Sequence, residues 1–258
     1  MWVFRKPIPR QTEILLGLAG LLLFLGLWQL VAVSGLVRPQ FLPTPGAVVA
    51  AFGRLFTEQN FLTDIYISVG RVWFAFFLSV IVAVPLGMLM ACFRALGASL
   101  EPFVDFVRYL PVPALVPLLI IWFGVGEASK IAVLVMGTFF QLLLLIVDDT
   151  RRVPSEYVES GFTLGASKWQ VLRDIIFPAA LPSMVNNLRI TLGWCWTYLI
   201  IAEIVAASSG IGHVIWSLRR FVKTPEVMAG IVAIGIIGLL TDQAFRLIHR
   251  RAFKYLDK

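Results

Sequence analysis

Six long apolar segments dominate this sequence and limit the folds that it can adopt. They lie at about 13–34, 72–93, 106–123, 129–147, 188–207 and 227–247. A helix of about 20 apolar residues crosses the hydrocarbon core of a bilayer, and a barrel strand needs only about 10. Inside that core only helices and closed barrels satisfy their backbone hydrogen bonds. The segments therefore predict an all-α membrane protein with about six transmembrane helices.

The composition and the placement of the charges agree with a membrane protein. Apolar residues make up 59% of the chain and charged residues 14%, against roughly 45–50% and about 25% in soluble domains. The net charge of +7 lies between the apolar segments and at the two chain ends, which argues against nucleic-acid binding. The first apolar segment is longer than the core of a typical cleavable signal peptide, so we expect it to remain as a span.

Few side chains in this sequence are suited to catalysis or to metal binding. His213 and His249 are the two histidines, and they are predicted on opposite sides of the membrane. No carboxylate pair or nucleophile–base pair is apparent. Cys92 and Cys195 lie in apolar segments, which indicates neither a disulfide framework nor a metal site. We expect no catalytic residues and no metal ligands in this chain.

The Lys and Arg residues predict which side of the membrane each loop faces. With both termini and loops 94–108 and 148–187 on one side, that side holds fifteen of these residues and the other side seven. Because cytoplasmic loops carry the excess of Lys and Arg, both termini are predicted to be cytoplasmic. The third segment contains Pro111, Pro113 and Pro117, so we do not expect one regular helix there.

The longest polar interruption, residues 156–182, has the signals of a short helix on the cytoplasmic side. Ser155 is a predicted N-cap, and Gly161 and Gly165 are predicted on one helical face. Two glycines on one face indicate a break in the helix or the close approach of another surface. Pro178 and Pro182 are expected to end the helical pattern. A helix that docks on a partner protein fits these signals, and an ordinary amphipathic loop helix is the alternative.

This stretch resembles the cytoplasmic loop of the membrane (permease) subunits of bacterial ABC importers, in the binding-protein-dependent type I family. Their pattern is Glu-Ala-Ala, three residues, Gly, nine residues and Ile-x-Leu-Pro. Here Glu159 begins the pattern and the spacing is intact, while Ser160, Gly161 and Phe177 stand in place of the two alanines and the leucine. The resemblance implies a type I permease bundle, and a loop helix that docks on an ATPase subunit and transmits its motion. It assigns the ATPase-coupling loop to Glu159, Gly161, Gly165, Ala166, Ile175 and Pro178.

Three further features resemble one branch of this family, the importers of sulfonates, taurine, nitrate and bicarbonate. They are the Phe-Leu-Pro-Thr-Pro sequence at 41–45, the proline-rich segment 111–126, and Ala-Glu at 202–203 followed by Gly-Ile-Gly at 210–212. Thr44 and Pro45 also suit the N-cap and the first position of a short interfacial helix. We expect residues 1–61 to form a transmembrane helix and an external amphipathic helix. Residues 62–248 are then the importer transmembrane domain with the coupling loop 148–187, and 249–258 a basic cytoplasmic tail.

The fifth apolar segment carries the candidates for lining a translocation pathway. They are Trp194, Trp196, Thr197 and Glu203. A carboxylate inside a membrane is costly and is a functional candidate by default. The alternative for Glu203 is an ion pair near the outer surface with Arg219 or Arg220.

The resemblance implies a permease subunit that forms the pathway for a small solute and does no chemistry itself. The implied partners are a second copy of the chain, two ATP-binding-cassette ATPase subunits that use ATP and Mg²⁺, and an extracytoplasmic substrate-binding protein. We expect no cofactor on this chain, since no P-loop sequence occurs in it.

The external charges favour a small anion as the solute. Seven external residues are basic and four are acidic, a net charge of +3. A positive potential attracts anions such as a sulfonate, taurine, nitrate or bicarbonate, although pyrimidine-type substrates stay open. The alternative function is a secondary transporter, or another membrane protein without an ATPase partner. A secondary transporter predicts internal repeats or charge pairs at the membrane midplane, and the sequence shows neither.

The predicted orientation can be tested with single cysteines after Cys92 and Cys195 are replaced by alanine. Lys168→Cys should react with an impermeant maleimide only from the cytoplasmic side of a sealed membrane, because it lies in the 148–187 loop. Glu58→Cys should react only from the opposite side. Labelling of Lys168→Cys from outside would overturn the topology.

Overall fold

The computed structural model describes residues 8–58, 60–206 and 208–254, and within them all the regular elements are helices. The α-helices are α1 (Arg10–Val33), α2 (Pro45–Glu58), α3 (Phe61–Cys92), α4 (Arg94–Arg108), α5 (Val112–Phe123), α6 (Glu127–Arg151), α7 (Ser155–Thr163), α8 (Lys168–Gln170), α9 (Phe177–Ala206), α10 (Ile211–Arg219) and α11 (Thr224–Ala252). A π-helical segment, Val171–Ile176, joins α8 to α9. The all-α class predicted from the sequence is confirmed.

Within the described residues, five helical segments are long and apolar enough to cross a membrane, and the number is six if a bent pair of helices forms one span. The five are α1, α3, α6, the continuous segment Lys168–Val205, and α11. The bent pair is α4 and α5, whose axes meet at 103°. The count of about six spans agrees with the sequence. The helices are longer than the predicted apolar segments because their ends carry polar residues that hydropathy does not include.

The third predicted span differs most from the structure. Residues 94–108, predicted as a cytoplasmic loop, form helix α4. Charged residues at four positions lower the average hydropathy of this helix, so its apolar side, on which Val104 is buried, was not recognised from the sequence. The chain then turns at Leu110 and Pro111, because proline has no N–H to continue the helix and disfavours helical backbone in the residue before it. The break predicted from Pro111 is confirmed, and it separates two helices.

The chain divides into two compact units, Met1–Asn60 with Ile215–Ile231 and Phe61–Val214 with Val232–Lys258. In the first unit the Trp28 indole donates a hydrogen bond to the carbonyl of Pro43 at 2.9 Å. Thr44 accepts a hydrogen bond from Ala47 N–H at 3.2 Å, so the predicted N-cap of α2 is confirmed. An ion pair of 2.8 Å joins Arg54 to Glu226.

The second unit is built on α3, α6 and α9, in which α6 packs extensively against each of the other two helices. Phe76, Leu134 and Leu199 are among the fully buried side chains where these three helices meet. A second buried cluster includes Leu142, Ile146 and Val171, and it extends to the π-helical segment. The two clusters connect the middle of the bundle to the end from which α7 projects.

Candidate functional site

Helix α7 lies between the end of α6 and the start of the long segment that contains α9, within the predicted coupling loop. Its N-cap is Pro154, whose side chain makes no capping hydrogen bond, so the predicted cap at Ser155 is wrong. Ser155 is already the first helical residue, because the fixed backbone of the preceding proline starts the helix there. The capping box of this loop lies at Ser167 and Gln170, which bond each other's backbone N–H at 3.4 and 2.8 Å. The Ser-x-x-Gln signal for it is visible in the sequence.

Gly165 ends α7 in a Schellman motif. Its φ is +85°, and its N–H donates to the carbonyl of Phe162 at 2.9 Å. The next N–H, of Ala166, reaches back to the carbonyl of Gly161 at 3.0 Å, and this pair of bonds defines the motif. Gly165 therefore has a left-handed backbone, which glycine adopts readily. The prediction that Gly161 and Gly165 share a helical face is wrong, because Gly165 lies beyond the helix end.

Gly161 brings α7 into direct contact with the π-helical segment. A Cβ atom at this position would lie 2.4 Å from Cδ1 of Ile175 and 3.2 Å from Cγ2 of Val171. Gly161 and Ile175 are both positions of the predicted coupling loop, fourteen residues apart in the chain. Ile175 and Ala166 in turn pack on the buried cluster around Ile146. The structure thus brings three of the predicted coupling residues together, while Glu159 and Pro178 are exposed.

The π-helical segment leads directly into α9. Pro178 and Pro182 do not end the helical pattern as predicted, since both lie in the first turns of α9. A proline ring clashes with the carbonyl four residues before it, here that of Asp174. The wider turn of the π-helix precedes Pro178, and its last bond runs from the Phe177 N–H to the carbonyl of Leu172. The chain therefore passes the prolines without losing helical continuity, and α7 stays attached to a spanning helix.

The outward side of this loop exposes large apolar side chains beside its carboxylates. Leu164 is 87% exposed and Trp169 63%, and Tyr157 and Phe162 are also exposed. A cluster of exposed apolar side chains on a charged loop is typical of a protein-binding surface. These residues were not among the predicted site residues, although apolar side chains within a polar stretch were a usable signal.

Glu203, one of the pathway candidates, is fully buried in an ion cluster. Its Oε1 atom accepts hydrogen bonds from Ser68 and from Arg71 Nη1, each at 2.7 Å, and its Oε2 accepts from the Gly212 N–H at 2.7 Å. The alternative given for Glu203 was an ion pair with Arg219 or Arg220. The structure shows an ion pair, but its partner is Arg71. Arg71 lies just before the predicted second span, so hydropathy placed it outside the membrane.

Arg71 holds three helices and a turn together at the end of the bundle opposite α7. Besides Glu203 on α9, it binds Glu127 on α6 through two 2.7 Å bonds and the carbonyl of Ser209 at 2.8 Å. Lys130 adds a 2.7 Å bond to Glu127. Arg71, Lys130 and Glu203 are 4%, 3% and 0% exposed. We call the cluster of Ser68, Arg71, Glu127, Lys130 and Glu203 the Arg71 clamp.

The other pathway candidates lie on different sides of α9. Trp196 is buried between α3 and α9, where its Nε1 atom has no hydrogen-bond partner among the residues that the structure describes. Thr197 is exposed and bonds back to the carbonyl of Gly193 at 3.4 Å. Trp194 lines an open groove of about 280 Å³ beside the turn between α4 and α5. The four candidates therefore do not form one site, and their part in transport stays a prediction.

The groove also holds polar residues that the sequence analysis did not select as site residues. Arg108, Gln141 and Tyr198 line it together with Trp194. Arg108 had been counted among the cytoplasmic charges, and Gln141 and Tyr198 lie inside apolar segments. A polar side chain within a predicted span was the signal that could have found Gln141.

The structure predicts that the Arg71 clamp contributes to stability. Glu203→Ala should lower the thermal stability of the purified protein markedly, because removing one partner of a buried ion pair typically costs ~3–5 kcal/mol. The control is Glu58→Ala at an exposed carboxylate, which should change little. Equal melting temperatures for the two variants would contradict this account. Lost uptake with unchanged stability would instead support a role of Glu203 in the translocation pathway.

Comparison with known proteins adds the family. Residues 83–254 match the family described as binding-protein-dependent transport system inner membrane component. The taurine transport permease protein TauC of Escherichia coli is 33% identical over 96% of this chain and 91% of that protein. The putative aliphatic sulfonates transport permease protein SsuC of Bacillus subtilis is 31% identical, over 98% of this chain and 92% of that protein. The bicarbonate transport permease protein CmpB of Synechococcus elongatus is 29% identical over 92% and 88%.

A solved structure supports the fold. An inward-facing MetNI methionine ABC transporter chain has a TM-score of 0.67 at 19% identity, covering 74% of this chain and 95% of that one. At this identity the likeness concerns the helical architecture alone. The family match extends over more than half of the chain and contains the α7 loop. The chain therefore belongs to the inner-membrane components of binding-protein-dependent transport systems, the multi-pass permease subunits of ABC importers.

Proposed function

We propose that two copies of this chain form the membrane passage of an importer for small anions, of the class that includes taurine, other sulfonates, nitrate and bicarbonate. A binding protein delivers the anion from outside, and two ATPase subunits on the cytoplasmic side bind ATP and Mg²⁺ and drive the cycle. Both chain termini lie in the cytoplasm. A secondary transporter is not favoured, because the similar proteins are permeases of ABC systems.

The observation that carries the coupling role is the way in which α7 is mounted. One side of the loop exposes Glu159, Phe162 and Leu164 to a partner. The other side is pressed through Gly161 against Ile175, at the start of a helix that spans the membrane. A displacement of α7 by the ATPase is therefore passed to α9 through a direct contact.

The transport cycle follows from this mounting. ATP binding closes the two ATPase subunits and moves both α7 loops. Each loop shifts its π-helical segment and the adjoining α9, and the buried cluster around Ile146 carries the shift to α3 and α6. The passage changes from inward-open to outward-open, accepts the anion, and returns after hydrolysis.

The substrate class rests on the similar proteins and on charge. The relatives named above are permeases for taurine, aliphatic sulfonates and bicarbonate. The solutes in these names share a small anionic group with several oxygen atoms that accept hydrogen bonds. The basic excess that the sequence predicts outside the membrane attracts such anions electrostatically.

In this proposal the second copy packs against the exposed side of α9. Gly193 and Thr197 are exposed there, and the groove lined by Trp194 and Tyr198 opens beside them. Small residues on a spanning helix allow close approach of another helix. Two such sides facing each other would enclose a passage whose wall includes both grooves.

The coupling role is tested by two substitutions of similar size at Gly165. Gly165→Leu should weaken ATPase association about five- to thirtyfold, because a left-handed conformation costs an ordinary residue about 1–2 kcal/mol. Gly165→Asn is the control, since asparagine tolerates this conformation. The measurement is co-purification with the ATPase and its stimulation by a taurine-loaded binding protein.

The outcomes of this pair separate two causes. Loss in both variants would indicate a clash with the partner surface, since none of the residues that the structure describes lies within 4 Å of a Cβ at Gly165. Full association and full stimulation in Gly165→Leu would show that the loop is not the coupling element.

The dimer can be tested with Thr197→Cys in a background without Cys92 and Cys195. A short thiol cross-linker should join two copies of this variant in membranes, because we place the two exposed sides of α9 opposite each other. Leu240→Cys on α11, also exposed, should give monomers. Efficient cross-linking at position 240 with none at 197 would contradict this arrangement.

A further inference from the structure

We infer that the groove at the turn between α4 and α5 binds the acidic head group of the transported solute within the membrane, with Arg108 as its anchoring cation. This inference rests on the proposed function and adds to it a site in the permease itself. The lining residues that carry it are Arg108, Gln141, Trp194 and Tyr198.

The position of Arg108 relative to α6 places it inside the membrane. Helix α4 runs back along α6: Glu101 binds Arg151 at 2.9 Å, and the rings of Phe103 and Phe140 lie 6.5 Å apart. The groove then brings Arg108 beside Gln141. Gln141 is ten residues from Arg151 and fourteen from Glu127, the two ends of α6. At about 1.5 Å per residue these are ~15 and ~21 Å.

An arginine inside the hydrocarbon core is costly, so its position there needs a physical explanation. The hydrocarbon core is about 30 Å thick, so Arg108 lies well inside it and not at the cytoplasmic surface where its sequence position had placed it. Charged residues at such depth face cavities and mark the paths of substrates and ions. Arg108 meets this description, because its side chain is 29% exposed and lines the groove.

The groove is rich in hydrogen-bond donors. Arg108 Nε lies 3.1 Å from Asp105 Oδ1 and its Nη2 donates to the Tyr109 hydroxyl at 3.1 Å. Its Nη1 atom makes no hydrogen bond to any residue in the described part of the chain. The Trp194 indole is a donor only, and the Gln141 amide and Tyr198 hydroxyl can also donate. The lining contains no carboxylate. Such a surface suits an anionic group whose oxygens accept hydrogen bonds, as in a sulfonate or nitrate and in the charged oxygens of bicarbonate.

The size of the groove fits a small solute. Its volume of about 280 Å³ is at the lower end of the range of about 300–1,000 Å³ for small-molecule sites. Gly137 sets one wall, since a Cβ there would lie 2.3 Å from the ring of Tyr198. A methyl group at this position must therefore displace the ring and change the shape of the groove.

A purely structural role for Arg108 makes a different prediction. In that case its structural contacts are its purpose: the ion pair with Asp105, three residues earlier on α4, and the Tyr109 ring, whose centroid lies 4.7 Å from its guanidinium carbon. Arg108→Gln and Asp105→Asn would then have similar and small effects. If Arg108 binds the solute, Arg108→Gln removes the anchor, whereas Asp105→Asn leaves the guanidinium free for the anion.

The experiment uses the complete importer, the permease with its ATPase and binding protein, reconstituted in proteoliposomes. Uptake of radiolabelled taurine, ethanesulfonate, nitrate and bicarbonate is measured for the wild type, and the best substrate is then used for the variants. Arg108→Gln should reduce uptake by about 10- to 100-fold, the range for losing a hydrogen bond to a charged group. Assembly of the variant with its ATPase and binding protein is checked by co-purification, so that the loss of uptake is measured on a complete complex. Asp105→Asn and the control Glu101→Gln, a charge change on the same helix outside the groove, should keep most of the uptake.

Two further variants keep the test decisive if Arg108→Gln does not assemble. Gln141→Leu should also reduce uptake, and Gly137→Ala should change the preference between the small nitrate and the larger ethanesulfonate. Wild-type uptake in Arg108→Gln, or in both of these variants, would overturn the site while leaving the proposed substrate class intact. A wild-type importer that takes up none of the four anions would overturn the substrate class and this site together.

Discussion

One arginine fixes the arrangement of the helices on which the second unit is built. Arg71 on α3 binds Glu127 on α6 and Glu203 on α9 within 2.7 Å, and it also holds the turn at Ser209. Burying a guanidinium is costly unless its donors are satisfied, and here two carboxylates and a carbonyl satisfy them. Helices in a membrane gain little from hydrophobic association, because the lipid chains are equally apolar. A directed polar contact therefore defines how α3, α6 and α9 meet at this end.

The opposite end of the bundle uses backbone geometry and shape in place of charge. Gly165 closes α7 with a positive φ, and the missing side chain of Gly161 admits Ile175. The two coupling positions that the family pattern separates by fourteen residues are neighbours in space. This contact gives a physical reason for the fixed spacing, because an insertion or deletion between Gly161 and Ile175 would move one away from the other.

The sequence was informative wherever the bilayer acts on single segments, and less so where contacts between segments decide. Long apolar segments predicted the spans, Pro111 predicted the break after α4, and Gly161 with Gly165 indicated a helix break or a close approach. The N-cap of α7 was missed because Pro154 had already started the helix. Arg71 and Arg108 were assigned to the surface, since a charge beside an apolar segment has the same local sequence whether it faces water or a buried carboxylate. Their true positions depend on α6 and α9, which are distant in sequence.

The π-helical segment has a mechanical consequence. Helix α7 is closed at its end by the Gly165 turn, and the capping box at Ser167 and Gln170 fixes the residues that follow. From there the helical hydrogen bonds continue through the wider π turn into α9 without a flexible hinge. A displacement of α7 would therefore act on a continuous helical segment and not on an unstructured loop. In the π turn the Phe177 N–H bonds to the carbonyl of Leu172, five residues before it, and a change to the four-residue pairing of an α-helix would turn α9 about its own axis. A linear displacement on one side of the membrane can thus become a twist of the helix inside it.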